Sequence, residues 1–198
     1  TILVTSVSPG EGKTLVATNL AMVFAQSNQS VMLVDADLRK PTVHQALGVR
    51  NHNGLSEALL TSGNAKNIIQ RWKNSNLFVI PSGIPPSNPA VLLTSEAMSR
   101  FIQRLKETEN ISIIDSPPFL VSDAAVLASR VDGIILVVQP GKTRISHLAA
   151  VLEQLDRVKA NIIGVVFNRI PAKLSTYYGG HAYYTLEHSS QDYYYSED

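Results

Sequence analysis

The sequence predicts an α/β fold, a parallel sheet flanked by helices on both faces. Three observations carry that expectation. Six short apolar runs recur, rich in Val, Ile and Leu and without polar alternation, as strands buried on both faces of a parallel sheet read. Helical patterns separate the runs, which argues for right-handed strand–helix–strand crossovers. A glycine-rich turn ending in Gly12-Lys13-Thr14 joins the first run to the first helical pattern.

The first strand is expected at Ile2–Val7, and the helix after the turn at Lys13–Ser27. Val31–Asp35 is an unbroken apolar strand closed by an acid, and Gly54–Thr61 reads as a helix. Leu77–Pro81 is the third strand, and the proline-rich run Pro81–Pro89 after it reads as a surface loop. A helix over Ser95–Thr108 leads into Ile111–Asp115, again an apolar strand ending in aspartate. Ser122–Ser129 (helix), Gly133–Gln139 (strand), Arg144–Val158 (helix) and Ile162–Phe167 (strand) complete the alternation. After Lys173 the periodicity stops, and Ser, Gly, His, Tyr and acids take over. The organisation read from this is one domain over residues 1–173 and a mobile, disordered tail over 174–198.

Composition narrows the function. Of the 198 residues 44% are apolar and 17% charged, enough for a sizeable core. There is no cysteine, which removes disulfides, thiolate metal sites and cysteine nucleophiles and suits a reducing compartment. No apolar run approaches the roughly 20 residues of a membrane helix, and no signal peptide is visible. The chain opens directly on a core strand, so it reads as a piece of something longer. Charge is unevenly placed: residues 1–173 hold 17 Lys and Arg against 12 Asp and Glu, a net of +5, while 174–198 hold four acids and no Lys or Arg. That body charge is too mild to argue for nucleic acid. All seven tyrosines (Tyr177, Tyr178, Tyr183, Tyr184, Tyr193, Tyr194, Tyr195) lie in the last 22 residues.

Three segments carry chemistry. Ser8-Pro9-Gly10-Glu11-Gly12-Lys13-Thr14 has the composition of a phosphate-binding loop. Glycines let backbone N–H groups close around phosphate oxygens, lysine reaches the β and γ phosphates, and the threonine hydroxyl can hold magnesium. Val7 stands where the full pattern has its first glycine, and Glu11 reads as a solvated loop residue. Asp35 and Asp37 are spaced to point the same way from extended backbone, toward the crevice where open α/β sheets bind ligands; a magnesium ion would relieve their repulsion. Asp115, before Ser116-Pro117-Pro118, fits a further magnesium-side acid. Asn168, just past the last strand, is placed to touch a base. His44, His52, His147, His181 and His188 form no ligand spacing and read as surface or tail. Met22, Met32, Met98 and Trp72 read as packing.

Together these motifs resemble the bacterial tyrosine kinases (BY-kinases), specifically the cytoplasmic catalytic domain of the polysaccharide co-polymerase or capsular exopolysaccharide type. That family's modified Walker A loop matches Ser8–Thr14. Its extra Walker A′ motif, three apolar residues then Asp-x-Asp-x-Arg, matches Met32–Arg39, and its Walker B matches Ile113–Pro118. Its terminal tyrosine cluster matches Tyr177–Tyr195, so the resemblance covers essentially the whole chain.

The resemblance implies a P-loop NTPase-type sheet of the ParA/MinD kind and an ATP- and Mg2+-dependent kinase that phosphorylates the seven tail tyrosines between subunits. It implies nucleotide contacts from Ser8, Pro9, Gly10, Glu11, Gly12, Lys13, Thr14, Leu15, Arg39 and Asn168. Lys13 is expected to hold the β/γ phosphates, and Thr14, Asp37 and Asp115 to organise magnesium with Asp35 beside them. Asp35 is expected to be the base that orients the tyrosine hydroxyl. The implied partners are other copies of the chain, a transmembrane co-polymerase segment fused upstream or separate, and a cognate tyrosine phosphatase, at the cytoplasmic side of the inner membrane. Ring formation is expected only with the upstream acid-x-x-Arg-x-x-Arg helix that such kinases carry, which lies outside this sequence. The runner-up is a ParA/MinD-like ATPase switch without protein kinase activity; that group's signature lysine, early in the loop, is replaced here by Ser8. In a third reading the tail is purely a binding segment.

Overall fold

The computed structural model describes residues 1–61, 67–108, 110–119 and 123–170. The tail expected at 174–198, with every tyrosine, lies outside the described residues. Seven strands form one sheet: β1 (Ile2–Ser6), β2 (Val31–Asp35), β3 (Gln70–Arg71), β4 (Leu77–Ile80), β5 (Ile111–Asp115), β6 (Gly133–Val138) and β7 (Ile162–Phe167), in the order β3-β4-β2-β5-β1-β6-β7. Every pairing is parallel except β3 against β4. The six expected strands are all present. β3 was not expected, because two residues at an edge carry no readable period.

The helices are α1 (Lys13–Gln26), α2 (Val43–Leu47), α3 (Leu55–Leu60), α4 (Pro89–Thr94), α5 (Glu96–Lys106), α6 (Asp123–Ala128) and α7 (Ile145–Arg157). One face of the sheet packs on α1, whose Ala17, Ala21 and Ala25 recur every fourth residue and let the helix lie close to Val4, Leu33 and Ile113. The other face buries Leu3, Val34, Ile114 and Leu136 against Met98, Ile102, Leu127, Val151 and Leu155. Met32 and Met98 are core and Met22 is half-buried, as expected. Trp72 packs against the α1-side core and its Nε1 donates to the Leu47 carbonyl at 3.0 Å. His44, expected on the surface, is half-buried.

The Pro81–Pro89 segment departs from the expected surface loop in two ways. Pro81, Ser82 and Gly83 are buried, because their backbone serves α3: the carbonyls of Pro81 and Ser82 accept from the N–H groups of Leu55 and Ser56 at 2.8 and 2.9 Å. Those donors have no partner within a helix of their own. The segment's last proline then opens α4, capped by Asn88, whose side chain accepts from Val91 N. Glu57 completes the tie, its carboxylate accepting from Gly54 N at 2.7 Å and Ile84 N at 3.0 Å.

This contact leaves no room at Gly54, where a Cβ would run into the Pro81 carbonyl and the Gly83 N, both backbone. At Gly164 in β7 a Cβ would meet nothing within 4 Å. Gly54→Ala is expected to cost about 1–3 kcal/mol, lowering the melting temperature by about 2–4 °C per kcal/mol. Gly164→Ala should leave it unchanged. Thermal melts followed by circular dichroism check both.

Candidate active site

The register of the sheet brings the acids together. In the parallel pairing of β2 with β5, Asp35 lies opposite Asp115, and Val4 of β1 lies opposite Asp115 on its other side. The loop that leaves β1 therefore passes over both strand-end carboxylates before entering α1. Gly10 and Gly12 both take positive φ, 77° and 94°, which glycine adopts without steric cost. At Gly12 an added Cβ would also collide with the Asn168 amide. The first helical bond of α1 runs from Val16 N to the Gly12 carbonyl at 3.0 Å. The N–H groups of Lys13, Thr14 and Leu15 thus precede the helical ladder and point out of the helix start, the arrangement that binds phosphate. The Leu15 side chain itself is exposed. Val7, in place of the pattern's first glycine, is fully buried and packs in the core.

Lys13 stands among three carboxylates. Its Nζ lies 2.8 Å from Asp37 Oδ2 and 3.7 Å from Asp115 Oδ1. Thr14 Oγ1 donates to Asp115 Oδ2 at 2.6 Å and accepts from Thr42 Oγ1 at 3.1 Å. Asp115 Oδ1 is buried without a hydrogen-bond partner. Asp35 is fully buried too, and both its oxygens accept backbone N–H groups, from Asp37 at 3.2 Å and Val43 at 3.1 Å. Asp37 accepts from Lys40 N at 3.0 Å.

Burial dominates the acid–base character of this cluster. It lifts Asp35 well above the ordinary carboxylate range, and repulsion from Asp115 adds to the rise. Asp115 is pushed up to about 6, burial outweighing the opposing pull of Lys13 and the Thr14 hydrogen bond. For Lys13 burial works the other way, but the Asp115 and Asp37 carboxylates overcome it and hold the ammonium more firmly charged than usual. Hydroxyl and carboxylate oxygens, one of them orphaned, suit a hard cation such as magnesium, which takes one or two carboxylates and completes its shell with phosphate oxygens and water.

A cavity of about 440 Å³ opens above the loop. Lys13, Thr14 and Asp37 line its floor, with Arg39, Lys40 and Arg169 among its other walls. Asn168 lies behind the loop, its Nδ2 donating to the Glu11 carbonyl at 2.8 Å. Glu11 corrects the sequence reading: it is fully buried rather than solvated. Its carboxylate accepts from Ser8 N at 2.9 Å and from the Thr143 hydroxyl. Lys142 and Arg169 escaped the sequence reading. Lys142 Nζ donates to the Pro9 carbonyl at 3.1 Å and Arg169 to the Gly10 carbonyl at 2.8 Å. Nothing near 9–11 in sequence announces these contacts, which join segments 133 and 159 residues apart.

Fold and loop together define a P-loop nucleotide-binding architecture with two acid-tipped strands beside the loop. The chain matches the family described as an AAA domain over residues 1–166. It is 40% identical over 168 residues to the tyrosine-protein kinase YwqD of Bacillus subtilis, covering 84% of this chain and 71% of that protein. The solved kinase domain of the Escherichia coli tyrosine kinase Etk superposes with a TM-score of 0.80 at 34% identity, covering 85% of this chain and 67% of that one. The chain spans only 24% of full-length Etk. The Pyrococcus furiosus cell division ATPase MinD matches with a TM-score of 0.74 at 25% identity, over 89% of this chain and 78% of that one. The chain belongs to the bacterial tyrosine kinases and is a protein-tyrosine kinase with a MinD-like fold.

Glu11→Ala would leave the Ser8 N–H and the Thr143 hydroxyl without their acceptor. A loss of about 1–3 kcal/mol is expected, with weaker nucleotide binding because the loop is no longer held in shape. Chemical denaturation and nucleotide titration of the variant check this; unchanged values in both would show that the buried carboxylate does not shape the loop.

Proposed function

We propose that the chain is an ATP- and magnesium-dependent tyrosine autokinase that phosphorylates the C-terminal tyrosine cluster of a neighbouring subunit. The observation that carries this reading is the convergence of Thr14, Lys13 and three strand-associated acids beneath one cavity, in a chain whose tyrosines all lie in its last 22 residues. The γ-phosphoryl group passes from ATP to the phenol oxygen, ADP leaves, and the phenol proton is released to a carboxylate or to water.

Backbone N–H groups of Gly10 to Leu15 cradle the phosphates in this reading, with Ser8, Pro9 and Glu11 shaping the loop. Lys13 leaves Asp37 to meet the β/γ phosphates. Thr14, Asp37 and Asp115 would hold magnesium, with Asp35 beside them, and a metal bound there would supply charge to neutralise that developing on the transferred phosphoryl group. Arg39 approaches the nucleotide from the cavity wall and Asn168 from behind the loop, toward the base. Asp35 orients the tyrosine hydroxyl. Phenol ionises near pH 10, so a carboxylate contributes more by position than by full proton removal. Because Asp35 is sealed in the free chain, this role requires the Thr42–Val43 segment or Lys13 to move aside.

By family likeness the reaction serves the control of extracellular or capsular polysaccharide assembly and export. We place it at the cytoplasmic side of the bacterial inner membrane, with a transmembrane co-polymerase segment, fused or separate, as activator, a tyrosine phosphatase opposing it, and no nucleic-acid partner. No helix among the described residues is long and apolar enough to cross a membrane. An ATPase switch without kinase activity would leave the tyrosine cluster without a role.

Lys13→Met is expected to abolish tail phosphotyrosine, read by mass spectrometry after incubation with MgATP, while circular dichroism stays native. Asp37→Asn should raise the magnesium needed for nucleotide binding. Asp35→Asn should spare MgATP binding and slow transfer to tyrosine. Wild-type phosphorylation in the lysine variant, or equal loss of nucleotide affinity in both aspartate variants, would contradict the assignment.

A further inference from the structure

The net charge of the body comes from one stretch of sequence. Residues 39–95 hold six Lys or Arg (Arg39, Lys40, Arg50, Lys66, Arg71, Lys73) against one acid, Glu57, whereas the rest of residues 1–173 balances eleven against eleven. Glu57 is turned onto the backbone N–H groups of Gly54 and Ile84, so it neutralises no side chain there. β3 and β4, both within this stretch, form one edge of the sheet.

Two adjoining cavities of about 400 and 320 Å³ open at that edge and share Arg50 and Gln70. His52 lines the first, and Arg71, Trp72 and Lys73 line the second. Gln70 bridges them: its Nε2 donates to the Arg50 carbonyl at 2.7 Å and its Oε1 accepts from Arg50 N at 3.1 Å. Arg50, Arg71 and Lys73 are exposed, and none pairs with a carboxylate among the described residues. Lys73 Nζ sits 4.4 Å from the centre of the Trp72 ring, an aromatic surface beside the cations.

We infer that the β3 edge, centred on Arg50, Arg71, Trp72 and Lys73, is a docking site for the acidic, tyrosine-rich C-terminal segment (174–198) of a second copy of this chain, separate from the phosphoryl-transfer site. The inference rests on the kinase reading above and adds a place where substrate is gripped outside the catalytic cavity. Charge complementarity selects the occupant: four acids, seven tyrosines and no Lys or Arg face a net-positive edge that carries an aromatic ring. The proposed transfer between subunits makes the donor of the tail a second copy, and sheet order fits it: β7, which precedes the tail in sequence, is the last strand of the order and β3 the first. A second copy placed edge to edge brings its β7 side next to β3, a head-to-tail contact.

The chain's one tryptophan is Trp72, and residues 174–198 contain none, so selective tryptophan emission reads occupancy directly. The test titrates a synthetic peptide of residues 174–198 into the full chain at low concentration. It compares wild type with Arg50→Glu/Arg71→Glu/Lys73→Glu and with the neutral triple Gln variant. The same peptide and a short uncharged tyrosine peptide are then assayed as phosphorylation substrates. Expected are a saturable emission change, and a rise of about tenfold or more in both the peptide Kd and its KM on charge reversal. The Gln variant should fall between, kcat should hold within about twofold, and binding should weaken as salt rises. The uncharged peptide should show the same KM in all three proteins. Peptide phosphorylation with no emission change and an unaltered KM would overturn the docking site and leave the kinase reading standing. Emission change and charge dependence without phosphorylation would uphold the docking site and overturn the kinase reading. A wild-type emission that neither dilution nor peptide alters, but that rising salt shifts to the emission of a chain shortened to residue 173, would mean a chain's own tail fills the site and would overturn the second-copy assignment.

Discussion

Three carboxylates buried around one ammonium are the constraint on which this site is built. Asp35 and Asp115 end neighbouring strands and are sealed from water, with Asp37 just beyond. Left alone they would repel one another in a medium that solvates charge poorly. Lys13 offsets part of that cost, 2.8 Å from Asp37 and 3.7 Å from Asp115. The arrangement is still short of positive charge, as the raised acid of Asp115 and its orphaned oxygen both indicate. In the proposed function a divalent cation would supply that charge, leaving the lysine free for phosphate.

The rest of the architecture keeps the phosphate loop over these acids. β1 lies between β5 and β6, so the loop leaving it is flanked on one side by Asp115 and on the other by the segments after β6 and β7. Those segments grip it by its carbonyls: Lys142 holds Pro9, Arg169 holds Gly10 and Asn168 holds Glu11. The Glu11 carboxylate pins the loop from within, tying Ser8 to Thr143. Carbonyls held outward leave the N–H groups of the helix start facing the cavity, which is what an anion needs.

Most of the sheet was legible because strands buried on both faces must be apolar throughout, and Val31–Asp35 and Ile111–Asp115 have the bounds that pattern predicts; Ile162–Phe167 also has its predicted bounds, but as an edge strand it leaves most of its apolar side chains exposed rather than buried on both faces. The phosphate loop and its acids were legible because their residues are local in sequence. What was illegible is tertiary. Glu11 looks like any loop acid until Thr143 is seen beside it, and the cations at 142 and 169 have no sequence motif of their own. α2, α4 and β3 are too short for periodicity, and the buried start of the Pro81–Pro89 segment is explained only by the N-terminus of α3 that it satisfies.

Stability against pH tests the carboxylate cluster most directly. Asp115 moves from an ordinary value of 3.8 to about 6 on folding. The folded chain therefore binds protons more tightly than the unfolded chain between those values, and this group's contribution to stability falls as pH rises through that window. The measurement is the unfolding free energy of wild type and Asp115→Asn from pH 5 to 7.5, alone and with saturating MgADP. The account predicts that wild type alone loses stability relative to the variant as pH rises toward 7, and that MgADP restores it in wild type but not in the variant. A wild-type stability that rises with pH relative to Asp115→Asn, or equal stabilisation of both proteins by MgADP, would contradict it.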